Sequence, residues 1–294
     1  MIPPRTILAT TDFSEASRAA VGLAARLARH CRAALHIVHA EDPLLAAAAR
    51  QSGLDLGMQT REELQRLVAS APPAAECAPQ LHAPTGAAVE TILAVADAEH
   101  ADLVIAGSRG MSGAARLVFG STTEGLLRRS VVPILVVPPG WTAPRTQSAD
   151  LAGVGPLIVG IDMTEESLEA ARASCRLAST LGTAVEAVHV VPQLAVPARW
   201  QPHATRALED RVASARSELE GVVHQLACGA PIEGRVDTGS VPDRLASIAA
   251  PTEGRAPLLV LGKKAPQSRG AAPGTIAYRV LSLAHVPVLM YVEP

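Results

Sequence analysis

Short runs of branched apolar residues recur along the chain and alternate with longer amphipathic stretches. Ile7-Leu8-Ala9, Leu35-His36-Ile37-Val38, Leu103-Val104-Ile105-Ala106 and Val132 to Val137 are near-continuous apolar segments. That pattern fits strands covered by helices on both faces. From Ser14 to about Arg29, Ala20, Val21, Ala24, Leu27 and Ala28 form one stripe at helical spacing. Ala87 to His100 repeats the design with Val89, Ile92, Leu93 and Ala96, and Glu62 to Ala69 predicts a further helix. Strands alternating with helices imply a parallel, doubly wound α/β sheet.

The whole pattern then occurs a second time. Asp12 and His39 return as Asp162 and His189, both at an offset of 150, Gly107 returns as Gly262 at 155, and Pro133 as Pro287 at 154. Small shifts between ordered landmarks are what loop-length changes produce in a duplicated domain. The expected organisation is two tandem doubly wound parallel-sheet domains: a first over 1–142, a Pro-, Gly- and Ser-rich linker over 143–155, and a second over 156–294. Leu44 to Gln59 and Leu194 to His203 read as equivalent long connections after the second strand of each copy, placed to cover a site.

Composition narrows the function classes. The 294 residues carry 26 Lys+Arg against 28 Asp+Glu, for a net charge of -2, with no basic surface for nucleic acid and no polybasic membrane tether. Apolar residues at 48% and charged residues at 18% exclude a disordered chain. Aromatics are only 2% while Ala numbers 55, so the core is expected to rest on Ala, Val, Leu and Ile. No apolar run approaches the roughly 18 residues of a membrane span, and the N-terminus lacks a signal-like stretch. Cys31, Cys77, Cys175 and Cys228 form no C-x-x-C and have no His at metal-ligand spacing. The expectation is reduced thiols in a cytoplasmic protein.

Candidate chemistry lies on loops at the strand ends, where open parallel sheets bind ligands. In the first copy these are Thr10-Thr11-Asp12, Ala40 after His39, Gly107-Ser108-Arg109-Gly110, and Gly120-Ser121-Thr122-Thr123-Glu124 opening a helix. Gly107, Gly110 and Gly120 would let backbone approach a ligand. Ser121, Thr122 and Thr123 would add hydroxyls beside the unpaired N–H groups of a helix start, an arrangement suited to phosphate, with Arg109 adding charge. Ser121-x-x-Glu124 also reads as a capping box, which satisfies those N–H groups without a ligand. Neither a dinucleotide G-x-G-x-x-G loop nor a P-loop is present. A carboxylate at Asp12 repels phosphate and suits a base amino group or a sugar hydroxyl. His39 and His189 read as packing or capping residues at matching strand ends. No general base or acidic cluster for two metals is evident, so binding is favoured over rapid turnover.

Gly107-x2-Gly110-x9-Gly120-Ser121 resembles the nucleotide-binding pattern of universal stress proteins, as do Thr11-Asp12-Phe13-Ser14, Val38-His39-Ala40 and Val132 to Val137. The resemblance covers nearly the whole chain as two copies. It implies that Asp12, with Thr10 beside it, contacts adenine and that Ala40 offers backbone atoms to the base. Ala106, Gly107 and Gly110 would then line ribose and phosphates, and Gly120, Ser121, Thr122 and Thr123 would hold the phosphates. The implied ligand is ATP with Mg, and the implied role a nucleotide-dependent regulator of the stress response with at most slow hydrolysis. The alternatives are an interaction module that binds no nucleotide and an enzyme of the same strand-loop-helix arrangement. In the second copy Asp162, Val190, Gly262, Gly274 and Thr275 match, but Ala265 stands where the second glycine belongs, and Lys263 and Lys264 are the expected compensating charges. The family also implies pairing through the final strands, Ile134 to Val137 with Val288 to Val292, and leaves room for a homodimer.

Overall fold

The computed structural model describes residues 3–108, 119–142, 154–193, 197, 199, 201–252, 256–264 and 274–293. Arg109, Gly110, Ala265 and most of the expected linker lie outside them. The first copy runs β1 (Thr6–Thr10), α1 (Glu15–Cys31), β2 (Ala34–Val38), α2 (Pro43–Gln51), α3 (Leu56–Ala69), α4 (Pro72–Glu76), β3 (Gln80–His82), α5 (Ala88–Ala98), β4 (Leu103–Gly107), α6 (Ser121–Arg129) and β5 (Ile134–Val137). The second runs β6 (Leu157–Gly160), α7 (Glu165–Leu181), β7 (Val185–Val191), α8 (Gln201–Leu226), β8 (Ile232–Thr238), α9 (Val241–Ile248), β9 (Leu258–Gly262), α10 (Thr275–Leu283) and β10 (Val288–Tyr291).

The ten strands form one sheet in the order β3-β2-β1-β4-β5-β10-β9-β6-β7-β8. All pairings within each copy are parallel, and the copies meet through the antiparallel β5–β10 pair, with Leu135 opposite Leu289. The order of each half reverses between its first and fourth strands, so each has a switch point there. Side chains on the two sheet faces bury separate layers. Ile7, Ala9 and Ile105 pack under α1 on one face, and Leu8, Val104 and Leu126 pack on the other. Full burial of one such Leu or Ile contributes roughly 1.5–3 kcal/mol.

Local signals set the helix ends. The Ser14 hydroxyl accepts from the Ser17 N–H to start α1, and Thr164 does the same for α7 through Ser167. Left-handed residues end both helices, Arg32 at φ 53° and Gly182 at φ 65°.

Three expectations are corrected. Leu44 to Gln59 is not a plain connection but holds α2 and the start of α3, capped by the Asp42 and Asp55 carboxylates. Of the matching Leu194 to His203 segment, the described part includes the start of the 26-residue α8. The cysteines are not all reduced: Cys175 of α7 and Cys228 before β8 form a disulfide with Cα atoms 5.2 Å apart. Cys31 and Cys77 are free thiols, and burial pushes the Cys31 thiol up to about 11.

Candidate functional site

At the switch point of the first copy, the carboxyl ends of β1, β2 and β4 and the starts of α5 and α6 enclose a cleft of about 290 Å³. Thr10, Asp12, Ala40, Gly107, Gly120, Ser121, Thr122 and Thr123 line it, together with Thr11, Ser17, His39, Ala88 and Ile92. Thus one cleft gathers eight of the described candidate residues of the first copy. Ala106 is 2% exposed and sits among the core side chains below.

The end of β1 is held by a small polar network. The Thr11 N–H donates to the Val38 carbonyl at 2.9 Å. His39 Nδ1 lies 2.8 Å from the Thr11 carbonyl, which can only accept, so Nδ1 carries the proton. Phe13 stacks at a tilt on His39 with centroids 4.7 Å apart and takes the left-handed region at φ 64°. That turn lets Asp12 Oδ1 accept from the Ser14 N–H at 3.1 Å. The Asp12 carboxylate is therefore fixed at the head of the cleft by the same turn that starts α1.

At the other end, Gly120 is the N-cap of α6 and contributes no side chain to the helix's first turn. The Ser121–Glu124 capping box is not formed: Ser121 is the first helical residue, and the Glu124 carboxylate pairs with Arg128 Nη2 at 2.7 Å. The nine-residue helix thus presents its positive end to the cleft beside the Ser121 and Thr122 hydroxyls. Thr123 departs from its expected part. Its hydroxyl donates to the Gly107 carbonyl at 2.7 Å and is buried, so it anchors α6 to β4. The Gly120 N–H donates to the Ser108 carbonyl at 2.9 Å and ties the start of α6 to the end of β4.

Gly107 is also explained by packing rather than by ligand approach alone. A Cβ there would stand 2.9 Å from the backbone of Ala16 and Ser17, where α1 crosses the end of β4. Gly262 carries the same constraint more tightly, with the Glu166 carbonyl oxygen 2.4 Å from such a Cβ.

The second copy retains the frame and differs in the side chains around it. His189 Nδ1 bonds the Ile161 carbonyl at 2.7 Å, as His39 bonds Thr11. Burial acts to raise the Asp162 carboxyl, but hydrogen bonds from Thr164 and Ser167 outweigh it and hold the group below the usual range. Leu261 replaces Ala106, and Gly160 replaces Thr10. A Cβ at Gly160 would meet Leu261 Cδ2 at 2.8 Å and Leu245 Cδ1 at 3.3 Å, so leucine methyls cover the strand end that faces the cleft in the first copy. Val190 is 5% exposed. Gly274 is the N-cap of α10 and Thr275 its first residue, as Gly120 and Ser121 are for α6.

Both lysines have partners among the described residues. Lys263 Nζ donates to the Ser130 carbonyl of the first copy at 3.3 Å, and burial lowers it to about 8. Lys264 Nζ lies 3.9 Å from Glu166.

Sequence reading missed Ala88 and Ile92, which reach the cleft only because α5 packs across the sheet. Thr11 and His39 were legible as neighbours of Asp12 and Ala40, whereas Ser17 reaches the wall only through the turn that starts α1.

The universal stress protein family model matches residues 4–138 and again 154–291. The chain belongs to that family. It is similar along 99% of its length to a universal stress protein from Archaeoglobus fulgidus DSM 4304, with TM-score 0.67, 15% identity and 99% of that chain covered. A protein of unknown function from Pseudomonas aeruginosa PAO1 gives TM-score 0.60 and 16% identity over 99% of this chain and 93% of its own. A universal stress protein solved in complex with cAMP matches 47% of this chain and 98% of its own, at 26% identity and TM-score 0.35. No curated protein matches the chain by sequence. Two universal stress protein domains in tandem, joined in one sheet, are therefore the architecture.

Proposed function

We propose that the first domain binds ATP and that the protein acts in the cytoplasm as a nucleotide-dependent regulator of the stress response, with at most slow hydrolysis. The observation that carries this reading is the polarity of the cleft. A fixed carboxylate stands at one end, and an uncapped helix start with two accessible hydroxyls stands at the other. Adenine and ribose offer donors to Asp12, and the phosphates fit the positive end of α6. Gly110 and Arg109 join that end in this reading. A magnesium ion arriving with the nucleotide would find hydroxyl oxygens at Ser121 and Thr122. Asp12 is the one carboxylate among the described lining residues, so no pair of carboxylates holds the metal there.

Slow turnover follows from the same lining, because no described residue at the phosphate end is a general base. The leucine methyls at the strand end of the second copy favour the non-binding reading for that half, with its strand pair serving as the joint. We take the units as 1–142 and 156–294, with 143–155 as the linker.

Calorimetric titration of the full chain with ATP and Mg tests the proposal. One site per chain is expected, with a rise in melting temperature that follows saturation. Absence of both heat and thermal shift at millimolar ATP would leave the interaction-module reading in its place.

A further inference from the structure

A second cluster lies at the other end of α5, away from the cleft. His36 on β2 and His82 on β3 face each other with Nδ1 and Nε2 3.0 Å apart. Glu99, the residue that caps the C-terminus of α5, brings Oε2 to 3.6 Å from His36 Nδ1. All three ligand atoms lie within 4.8 Å of one another, and His36 is 3% exposed.

Two ligand atoms sharing a tetrahedral zinc, each about 2.0–2.1 Å from the metal, stand about 3.3 Å apart. The separations of 3.0 and 3.6 Å bracket that value. The environment favours a cation: the carbonyl end of the 11-residue α5 points its negative pole here, and Glu99 adds a full charge.

The duplicate copy provides a control. Its residues at the positions of His36 and His82 are Glu186 and Arg235, whose side chains pair at 3.4 Å. There the same place in the sheet is closed by a self-satisfying ion pair. The first copy instead collects two imidazoles and a carboxylate, a donor set suited to zinc.

We propose that His36, His82 and Glu99 form a binding site for a divalent transition-metal ion of zinc-like chemistry. Three protein ligands leave a fourth position for water or an exchangeable ligand. The site is independent of the nucleotide reading, since it shares no residue with the cleft.

Titration of the metal-free full chain with Co(II), followed by its visible absorption bands, tests it, with Zn(II) displacement as the second readout. The expected result is one saturable Co(II) per chain with intense low-symmetry bands that Zn(II) abolishes. His82→Gln and Glu99→Gln, at partly exposed positions, should each weaken Co(II) by at least about tenfold. The double replacement His36→Glu with His82→Arg imports the ion pair of the second copy; it should keep the far-ultraviolet dichroism and lose the bands. No saturable Co(II) signal in the wild type, or wild-type affinity in both single variants, overturns the proposal.

Discussion

The two halves share a fold, a strand order and a His-to-carbonyl clasp, yet they differ in what stands at the end of the first strand, which in the first copy borders a cleft. The difference comes down to a few side chains on one sheet face. Ala106 becomes Leu261, Thr10 becomes Gly160, and the methyls of Leu261 and Leu245 lie over the strand end where Thr10 borders the cleft. Asp162 persists beside those methyls, so the two copies keep the carboxylate and differ in what surrounds it. A second contrast concerns covalent support. Ala25 and Cys175 hold the same position in α1 and α7, and Cys77 Sγ lies 3.4 Å from the Ala25 carbonyl, where the second copy has its disulfide. The copies have diverged in what fills the crevice and in what ties the helix layer.

Exchanging the residues that differ should exchange the behaviour. The largest effect is expected from Ala106→Leu, which puts the second copy's leucine into the first copy's crevice. It should weaken ATP by about a hundredfold or more, some 3 kcal/mol, in a calorimetric titration. Leu261→Ala should leave that affinity unchanged, and a variant pair with the reverse pattern would reassign the site to the second half.

Next in size is the disulfide. It closes a separation of 53 residues in the second domain. Reduction, or Cys175→Ser, should cost roughly 2–4 kcal/mol in denaturant unfolding. Ala25→Cys should allow Cys77 to form the counterpart in the first domain and raise its unfolding midpoint, read by thiol counting and urea titration together.

The glycines at the strand ends come third. Gly262→Ala and Gly107→Ala should each destabilise by roughly 1–3 kcal/mol, with Gly262 the costlier because the backbone it meets is nearer. Equal midpoints for wild type and both variants would show that α1 and α7 yield more easily than their packing suggests. Smallest is Asp12→Asn. It removes a charge but keeps an acceptor for the Ser14 N–H, so ATP affinity should fall by about fivefold to tenfold with no change in melting temperature.

Much of this was legible before any coordinates. The strand-helix alternation and the offset landmarks carry the tandem doubly wound architecture, because a parallel sheet buried on both faces leaves continuous apolar runs. The family assignment follows the same residues. Helix α2 was also written in the chain, as Asp42 before Pro43, a carboxylate N-cap followed by proline in the first turn, but the Ala-rich stretch read as a cover. The disulfide was not legible. Cys175 and Cys228 meet only because the segment between α8 and β8 passes beside α7, and four cysteines allow three pairings. The role of Thr123 was hidden for a related reason: a hydroxyl in a Ser-Thr-Thr run reads as a donor to a ligand until the Gly107 carbonyl is seen 2.7 Å away. At the metal cluster, neither His36, His82 nor Glu99 stands at a ligand spacing in sequence; the β2–β3 register and the end of α5 bring them together.

The most direct test of the central claim is to count bound nucleotide per chain at ATP and Mg that just saturate the wild type, in the wild type and in Ala106→Leu. The account predicts one nucleotide per wild-type chain and none in the variant. Two per chain, or one that survives Ala106→Leu, would contradict it.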